Sequence, residues 1–283
     1  MVLQNMKTVT KIFLLFLLAN SINCFSQSKI DRSKKDLTSP SRTDNNNKDN
    51  ERDSNSSSHV SFDNEFRNIL FQGFMYLTYY SIIGNFDAEN HLHNNLSNYP
   101  YDGNLSGNFE NSVPVSPPIN YLRIDLENQL LLSQNNLYGN HLKVKIRPYQ
   151  YFYIQTDLHT LIEYNRAEKN YTNLSLLNIN IGYDRIRFDR FNLGWTLGIN
   201  YIGNDIKKAG FSYGLNTDVF ISKPYSLYSS VKWSSINNAP VNEFELKCRY
   251  HKKNFFLAVG YEHLKIGLPT YDFLSIGGGL YLF

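Results

Sequence analysis

The chain has 283 residues, 42% of them hydrophobic, with 28 basic against 25 acidic side chains, a formal net charge of +3 and a mean hydropathy of −0.40. It contains no repeated apolar runs of about 20 residues, so it is not a helical membrane protein, and its charge is too balanced to suggest nucleic-acid binding. Two cysteines, Cys24 and Cys248, are too few for a disulfide framework or a Cys-based zinc site within one chain.

The first 26 residues read as a secretory signal peptide. Lys7 and Lys11 precede the apolar run Ile12 to Ala19, and cutting after Ser26 places the small residues Cys24 and Ser26 at −3 and −1. A competing reading makes Cys24 the acylated first residue of a lipoprotein, but Ser21-Ile22-Asn23 lacks the Leu at −3 and the small residue at −1 usual for that processing. Residues 27–60, typified by Asp44 to Asn50, have almost nothing to bury and are expected to be a disordered polar tether.

Residues 61–118 form a connecting segment, either periplasmic or a barrel plug. Phe66, Ile69, Leu70, Gly73, Phe74, Leu77 and Ser81 repeat at three and four, with Asp63 as a cap and Gly84 as a stop, which predicts a helix from about Asn64 to Ile83. Its aromatic content suits the membrane–water interface or a barrel mouth. The rival is a strand, since Phe71, Gly73, Met75, Leu77 and Tyr79 also alternate; two more strands here would make a barrel of twelve. Asp87, Glu89, His91 and His93 stand at alternate positions, so an extended segment would aim four metal-ligand types to one side; with no second ligand group, a polar loop is the preferred reading. Pro100-Tyr101-Asp102-Gly103 signals a turn, and Pro114, Pro117 and Pro118 break regular structure before the first strand.

From residue 119 to 283 the dominant pattern is period 2, which puts successive side chains on opposite faces of a strand. Leu122, Ile124 and Leu126 alternate with Arg123, Asp125 and Glu127. Leu142, Val144 and Ile146 alternate with Lys143, Lys145 and Arg147, and Phe152 to Ile162 with Gln155, Asp157, His159 and Glu163. About ten such strands follow one another, including Phe244, Leu246, Cys248 and Tyr250 against Glu245, Lys247 and Arg249. The connections read alternately long and short, the long ones including Gly203 to Gly210, Ser234 to Asn242 and His263 to Asp272. An even number of antiparallel strands with that beat predicts an all-β transmembrane barrel. A soluble sandwich or lipocalin-like barrel shares the alternation with its apolar face inward. Tyr183, Tyr201, Tyr213, Tyr250 and Tyr261 at strand ends on the apolar face favour the lipid-facing choice.

A ten-stranded barrel is only slightly wider than one that side chains fill. The lumen is therefore expected to be plugged or very narrow, crossed by a charge network of Arg123, Asp125, Glu127, Lys143, Lys145, Arg147, Asp157, Glu163, Glu245, Lys247 and Arg249. His159 and His251 fall on the same face. The chain ends Gly277-Gly278-Gly279-Leu280-Tyr281-Leu282-Phe283, and Gly278, Tyr281 and Phe283 resemble the C-terminal insertion signal of outer-membrane barrels. Together with the Ser-Gln leader junction and the Asn, Tyr, Phe and Lys bias, the chain resembles outer-membrane β-barrel proteins of the Bacteroidota at the level of class. That resemblance implies an outer-membrane location, lipid as surroundings and the barrel-assembly machinery as a partner during insertion; the balanced charge argues against nucleic acid, and no cofactor is expected.

No G-x-S-x-G elbow supports a nucleophile, so an enzyme is not expected. The anticipated role is structural or binding, with a small-solute channel, a soluble secreted binding protein and an outer-membrane enzyme as alternatives.

Overall fold

The computed structural model describes residues 28–38, 76, 78–110, 122–134, 136–165 and 169–283. The predicted signal peptide, most of the predicted polar tether and most of the predicted helix over 64–83 lie outside the described residues.

Ten antiparallel strands close into a barrel. They are β1 (Arg123–Leu132), β2 (Leu137–Arg147), β3 (Phe152–Asn165), β4 (Asn170–Arg187), β5 (Phe191–Ile202), β6 (Lys208–Ser222), β7 (Tyr225–Ile236), β8 (Ala239–Lys252), β9 (Phe255–Ile266) and β10 (Thr270–Leu282). Each pairs with its sequence neighbours, and β10 returns to β1 with Ile276 opposite Leu130 and Tyr281 opposite Asp125, so no edge is left unpaired. A 12-residue strand is about 40 Å long, and at a tilt of about 40° it rises about 30 Å, enough to cross the roughly 25 Å apolar band of an outer membrane.

The face assignment is settled by burial. Leu130, Ile154, Ile181, Ile199, Phe211, Leu257 and Ile276 are exposed on the outside, while Arg123, Glu127, Lys143, Asp157, Glu245 and Lys247 are buried inside. The inward-apolar alternative is thus not the one this chain adopts. Tyr201, Tyr213, Tyr250 and Tyr261 are exposed on the outer surface as expected, and Cys248 is a free thiol on the same surface.

One expectation fails: the long and short beat of the connections. The strands continue through most of the polar residues read as loops, and the turns are short at both ends. Ser234 to Asn242 collapses to a turn at Asn237 and Asn238, both at positive φ (53° and 62°), as tight two-residue hairpins require. His263 to Asp272 shrinks to residues 267–269, and Gly203 to Gly210 to 203–207. Polar residues at a strand end look like loop in sequence because strands rising past an apolar band have no apolar face to show.

The second correction concerns the tether. Within it, Lys29–Thr38 forms a helix, α1, that presents Ile30, Ser33 and Leu37 to the barrel. All three are fully buried. α1 sits in the mouth opposite the C-terminus, which we call the far mouth. The inward side chains there are apolar, among them Leu131, Leu161, Leu174, Ile236 and Ile266. The wall also supplies the polar partners of α1. The Glu163 carboxylate accepts from the Lys29 and Ile30 backbone N–H groups at 3.2 and 2.9 Å, satisfying donors that a helix start leaves free. Ser33 Oγ donates to the Ile266 carbonyl at 2.8 Å, and Asn237 donates to that of Leu37 at 2.9 Å. Glu163, expected in the lumen network, is therefore a helix cap.

The segment preceding β1 covers the other end, the near mouth. Tyr76 and residues 78–82 are helical, and the chain leaves the helix at Gly84, at φ 111°, the stop expected from sequence. The last carbonyls of this turn are met by the outside of the barrel. Arg185 donates to the Tyr80 and Ser81 carbonyls, Trp195 to Ile82, and Tyr183 to Ile83, at 3.0 to 3.2 Å. That contact buries Tyr183, one of the tyrosines expected to face lipid.

Candidate functional site in the lumen

The inward residues fall into three layers, because every second residue of each strand points inward and the strands share a register. The far layer is the apolar seat of α1. The middle layer is ionic, and the near layer mixes cations with aromatic rings.

In the middle layer, Lys143 on β2 reaches across the lumen to Glu245 on β8, with Nζ at 2.7 and 2.8 Å from its two oxygens. Lys247 pairs with Glu245 and, at 3.1 Å, with Glu127, whose other oxygen receives Arg249 at 2.7 Å. Lys232 bridges Asp157 at 2.9 Å and Glu243 at 3.1 Å. His141 lies between Asp157 and Glu262, and His159 holds the other Glu262 oxygen at 2.6 Å. Buried charges persist only when paired in this way.

The near layer is built on Arg123, Arg147, Lys145 and Arg249. Arg147 donates to Asp184 at 2.5 Å, and Arg123 to Asp125 at 2.6 Å. Lys145 lies 4.3 Å from the centre of the Tyr153 ring, and Arg249 4.1 Å from that of Tyr228. Tyr153 fits because Gly182 faces it, since a Cβ there would fall 2.1 Å from the ring. A cavity of about 40 Å³ remains among these groups, room for a water or two.

Residues 94–110 lie over this cavity. Arg123 donates to the Ser97 carbonyl at 2.9 Å and to Asn108 at 2.7 Å, and the Tyr101 hydroxyl donates to the Tyr225 carbonyl at 2.6 Å. The turn predicted at Pro100 to Gly103 is present, with Tyr101 and Gly103 at positive φ and Lys223 donating to both carbonyls. Burial pushes the Tyr101 phenol up to about 12.

Ten of the eleven sequence-derived lumen residues meet in these two layers; Glu163 does not. Sequence reasoning missed Lys232, Glu243, Glu262, Asp184 and His141, and also Tyr228 and Tyr153. The period-2 signal places each of them on the charged face, and extending the alternation past the supposed loop at Ser234 to Asn242 would have found Glu243.

The candidate ligands Asp87, Glu89, His91 and His93 do not gather. Asn90–His93 is a 3-10 turn, not an extended strand, so alternate residues no longer share a side. Glu89 instead forms a two-pronged pair with Arg185 at 2.8 and 2.9 Å, which lowers its carboxyl from 4.5 to about 2, and His93 bonds the Phe86 carbonyl at 2.8 Å. Burial lowers His91.

His251 bonds Ser226 Oγ at 2.7 Å, a nucleophile–base contact in form. Its Nδ1 has no hydrogen-bond partner and Ser226 is fully buried, so the orienting carboxylate and the substrate access of a triad are both missing at this pair. Tyr281, assigned from sequence to a C-terminal insertion signal, turns inward against Arg123 at 4.6 Å, while Phe283 is exposed.

No family model and no curated protein matches the chain. Solved structures of similar fold include an outer membrane channel from Pseudomonas putida F1, at 8% identity and TM-score 0.33 over 61% of this chain and 100% of that one. Ail, the attachment invasion locus protein of Yersinia pestis, matches at 11% identity and TM-score 0.29 over 58% and 100%. LpxR from Salmonella typhimurium matches at 8% identity and TM-score 0.33 over 59% and 86%.

Proposed function

We propose that the protein is an integral outer-membrane barrel with a plugged lumen and a structural or binding role, without ion conduction or catalysis. The observation that carries the reading is the inverted polarity of the barrel, with an apolar outer surface around a lumen crossed by paired charges. An apolar surface of that extent is stable against lipid and aggregates in water. Covers at both ends, α1 and residues 94–110, support the plug.

With turns of two to five residues at both rims, extended outer loops do not supply a binding surface among the described residues. Binding is better placed at the far mouth around α1.

Cell fractionation with gel mobility of heated and unheated samples tests location and barrel together. Recovery in the outer membrane with a heat-dependent shift is expected; a soluble protein overturns the reading. In planar bilayers the purified barrel should give no stable conductance, and reproducible ohmic steps would refute the plugged lumen.

A further inference from the structure

We propose that the middle layer of the lumen is a binding site for one divalent transition-metal ion of the zinc type, held by His141, His159 and Glu243. The ligating atoms of these three residues all lie within 4.8 Å of one another, and each residue is buried. Zinc–ligand bonds of 2.0–2.2 Å put neighbouring ligand atoms about 3.5 Å apart, so binding brings the three ligand atoms closer while the His141 and His159 rings, now stacked at 3.7 Å, splay apart. Two imidazoles and a carboxylate are the donor set that suits such an ion.

Charge counting asks for a cation at this place. The connected ion pairs of the middle layer contain the carboxylates Asp157, Asp218, Glu127, Glu243, Glu245 and Glu262, but only Lys143, Lys232, Lys247 and Arg249 as fixed cations. Two negative charges are left over in this layer, and the matching positive surplus, Arg123, Lys145, Arg147 and Arg187 against Asp125 and Asp184, lies toward the other mouth. The remaining lumen cations are engaged nearer the other mouth: Arg123 and Arg147 with Asp125 and Asp184, Lys145 over Tyr153, and Arg187 with the Asp184 and Leu92 carbonyls. Protonating both histidines would restore balance, but their rings stack at 3.7 Å, and two positive rings face to face repel. One divalent ion supplies both charges without that repulsion.

An independent observation marks the position. A cavity of about 10 Å³, roughly the room of one water-sized sphere, is lined by His159, Glu243 and Asn200, and reaches the apolar seat of α1 at Leu264 and Ile266. The Asn200 side-chain oxygen is buried with no hydrogen-bond partner, while its amide nitrogen donates to Ser234 at 3.0 Å. This orphaned acceptor shares the cavity with His159 and Glu243 and is the candidate fourth ligand. Metal binding would draw Glu243 from Lys232, which keeps Asp157, and would take one His141 nitrogen from Asp157 or Glu262. α1 then closes the entrance over the ion. The inference does not depend on the membrane location.

The test is uptake of Co²⁺ and Zn²⁺ by the full-length folded barrel after chelator treatment, read by metal analysis, titration calorimetry and the visible spectrum of bound Co²⁺. One ion per chain and an absorption spectrum of nitrogen and oxygen ligation in low coordination number are expected. His159→Gln and, separately, Glu243→Gln should each weaken uptake at least tenfold, while His91→Gln should leave it unchanged. Each variant is measured on the fraction that keeps the folded gel mobility, so a folding defect in one leaves the other decisive. No uptake by the folded wild-type barrel overturns the proposal, as does uptake that survives both lumen variants or is lost in His91→Gln. A barrel found in the soluble fraction that still binds the ion would refute the membrane reading and leave the metal site standing.

Discussion

Replacing Arg147 by Met isolates what a cross-lumen ion pair contributes. Asp184 is 3% exposed, and among the ion pairs of the described residues Arg147 is its partner, at 2.5 Å. Asp125, the second neighbour of Arg147 at 3.6 Å, keeps Arg123 at 2.6 Å. The substitution therefore strands one buried carboxylate, and stranding a buried charge costs about 3–5 kcal/mol. Lys145, parked over the Tyr153 ring in the same layer, softens the loss, so we expect about 3 kcal/mol. At a urea slope of about 2 kcal/mol per molar, the unfolding midpoint should fall by about 1.5 M. The assay is urea unfolding in lipid vesicles, following the fraction with folded gel mobility. Arg147→Met combined with Asp184→Asn removes both charges and should recover most of the loss, because a neutral pair in the same volume leaves nothing unpaired. A midpoint unchanged in the single variant, or a double variant weaker than the single, would refute the claim that these charges are held as a pair.

Three further outcomes follow from the ends of the barrel. Leu37→Asp buries an unpaired carboxylate in the apolar seat and should unseat α1, so that trypsin cuts at Lys34 and Lys35 several times faster while the barrel keeps its folded mobility; unchanged cleavage would mean α1 is not held by that face. Gly84→Ala should destabilise the segment on the near rim by about 1–3 kcal/mol, since φ there is 111° and the added Cβ meets Leu92 at 2.5 Å; hydrogen exchange of residues 78–93 reads the effect, and protection equal to wild type would contradict it. The Arg185 hydrogen bonds hold Glu89 at about 2 when folded against an ordinary 4.5. A lowered folded value means the stabilisation is full above about 4.5 and is lost as pH falls toward 2. Proteolysis of residues 78–93 should therefore rise across that window in wild type, and Glu89→Gln should show the higher rate at all pH values with no such dependence; a pH-independent wild type would refute the pairing.

The sequence by itself determined the strands and the membership of their two faces, because alternation of side chains is a local property that needs no partner. It also marked the turn at Pro100 to Gly103 and the stop at Gly84, where φ preference is set by the residues themselves. What it left open was decided by closure. Whether the charged face points in or out depends on the sense in which the sheet curls; the strand-end tyrosines pointed to the inward choice, and closure of the sheet decided it. The cross-lumen partners, Lys143 with Glu245 and Arg249 with Glu127, lie more than 100 residues apart and meet only because β10 pairs with β1. His141 and His159 already face each other across the β2–β3 hairpin, and closure brings Glu243 to them. α1 is the clearest case of tertiary control: a ten-residue segment with two apolar side chains, Ile30 and Leu37, is too short to be a stable helix alone. The far mouth makes it one, by burying those two side chains and offering the Glu163 carboxylate to its free N–H groups.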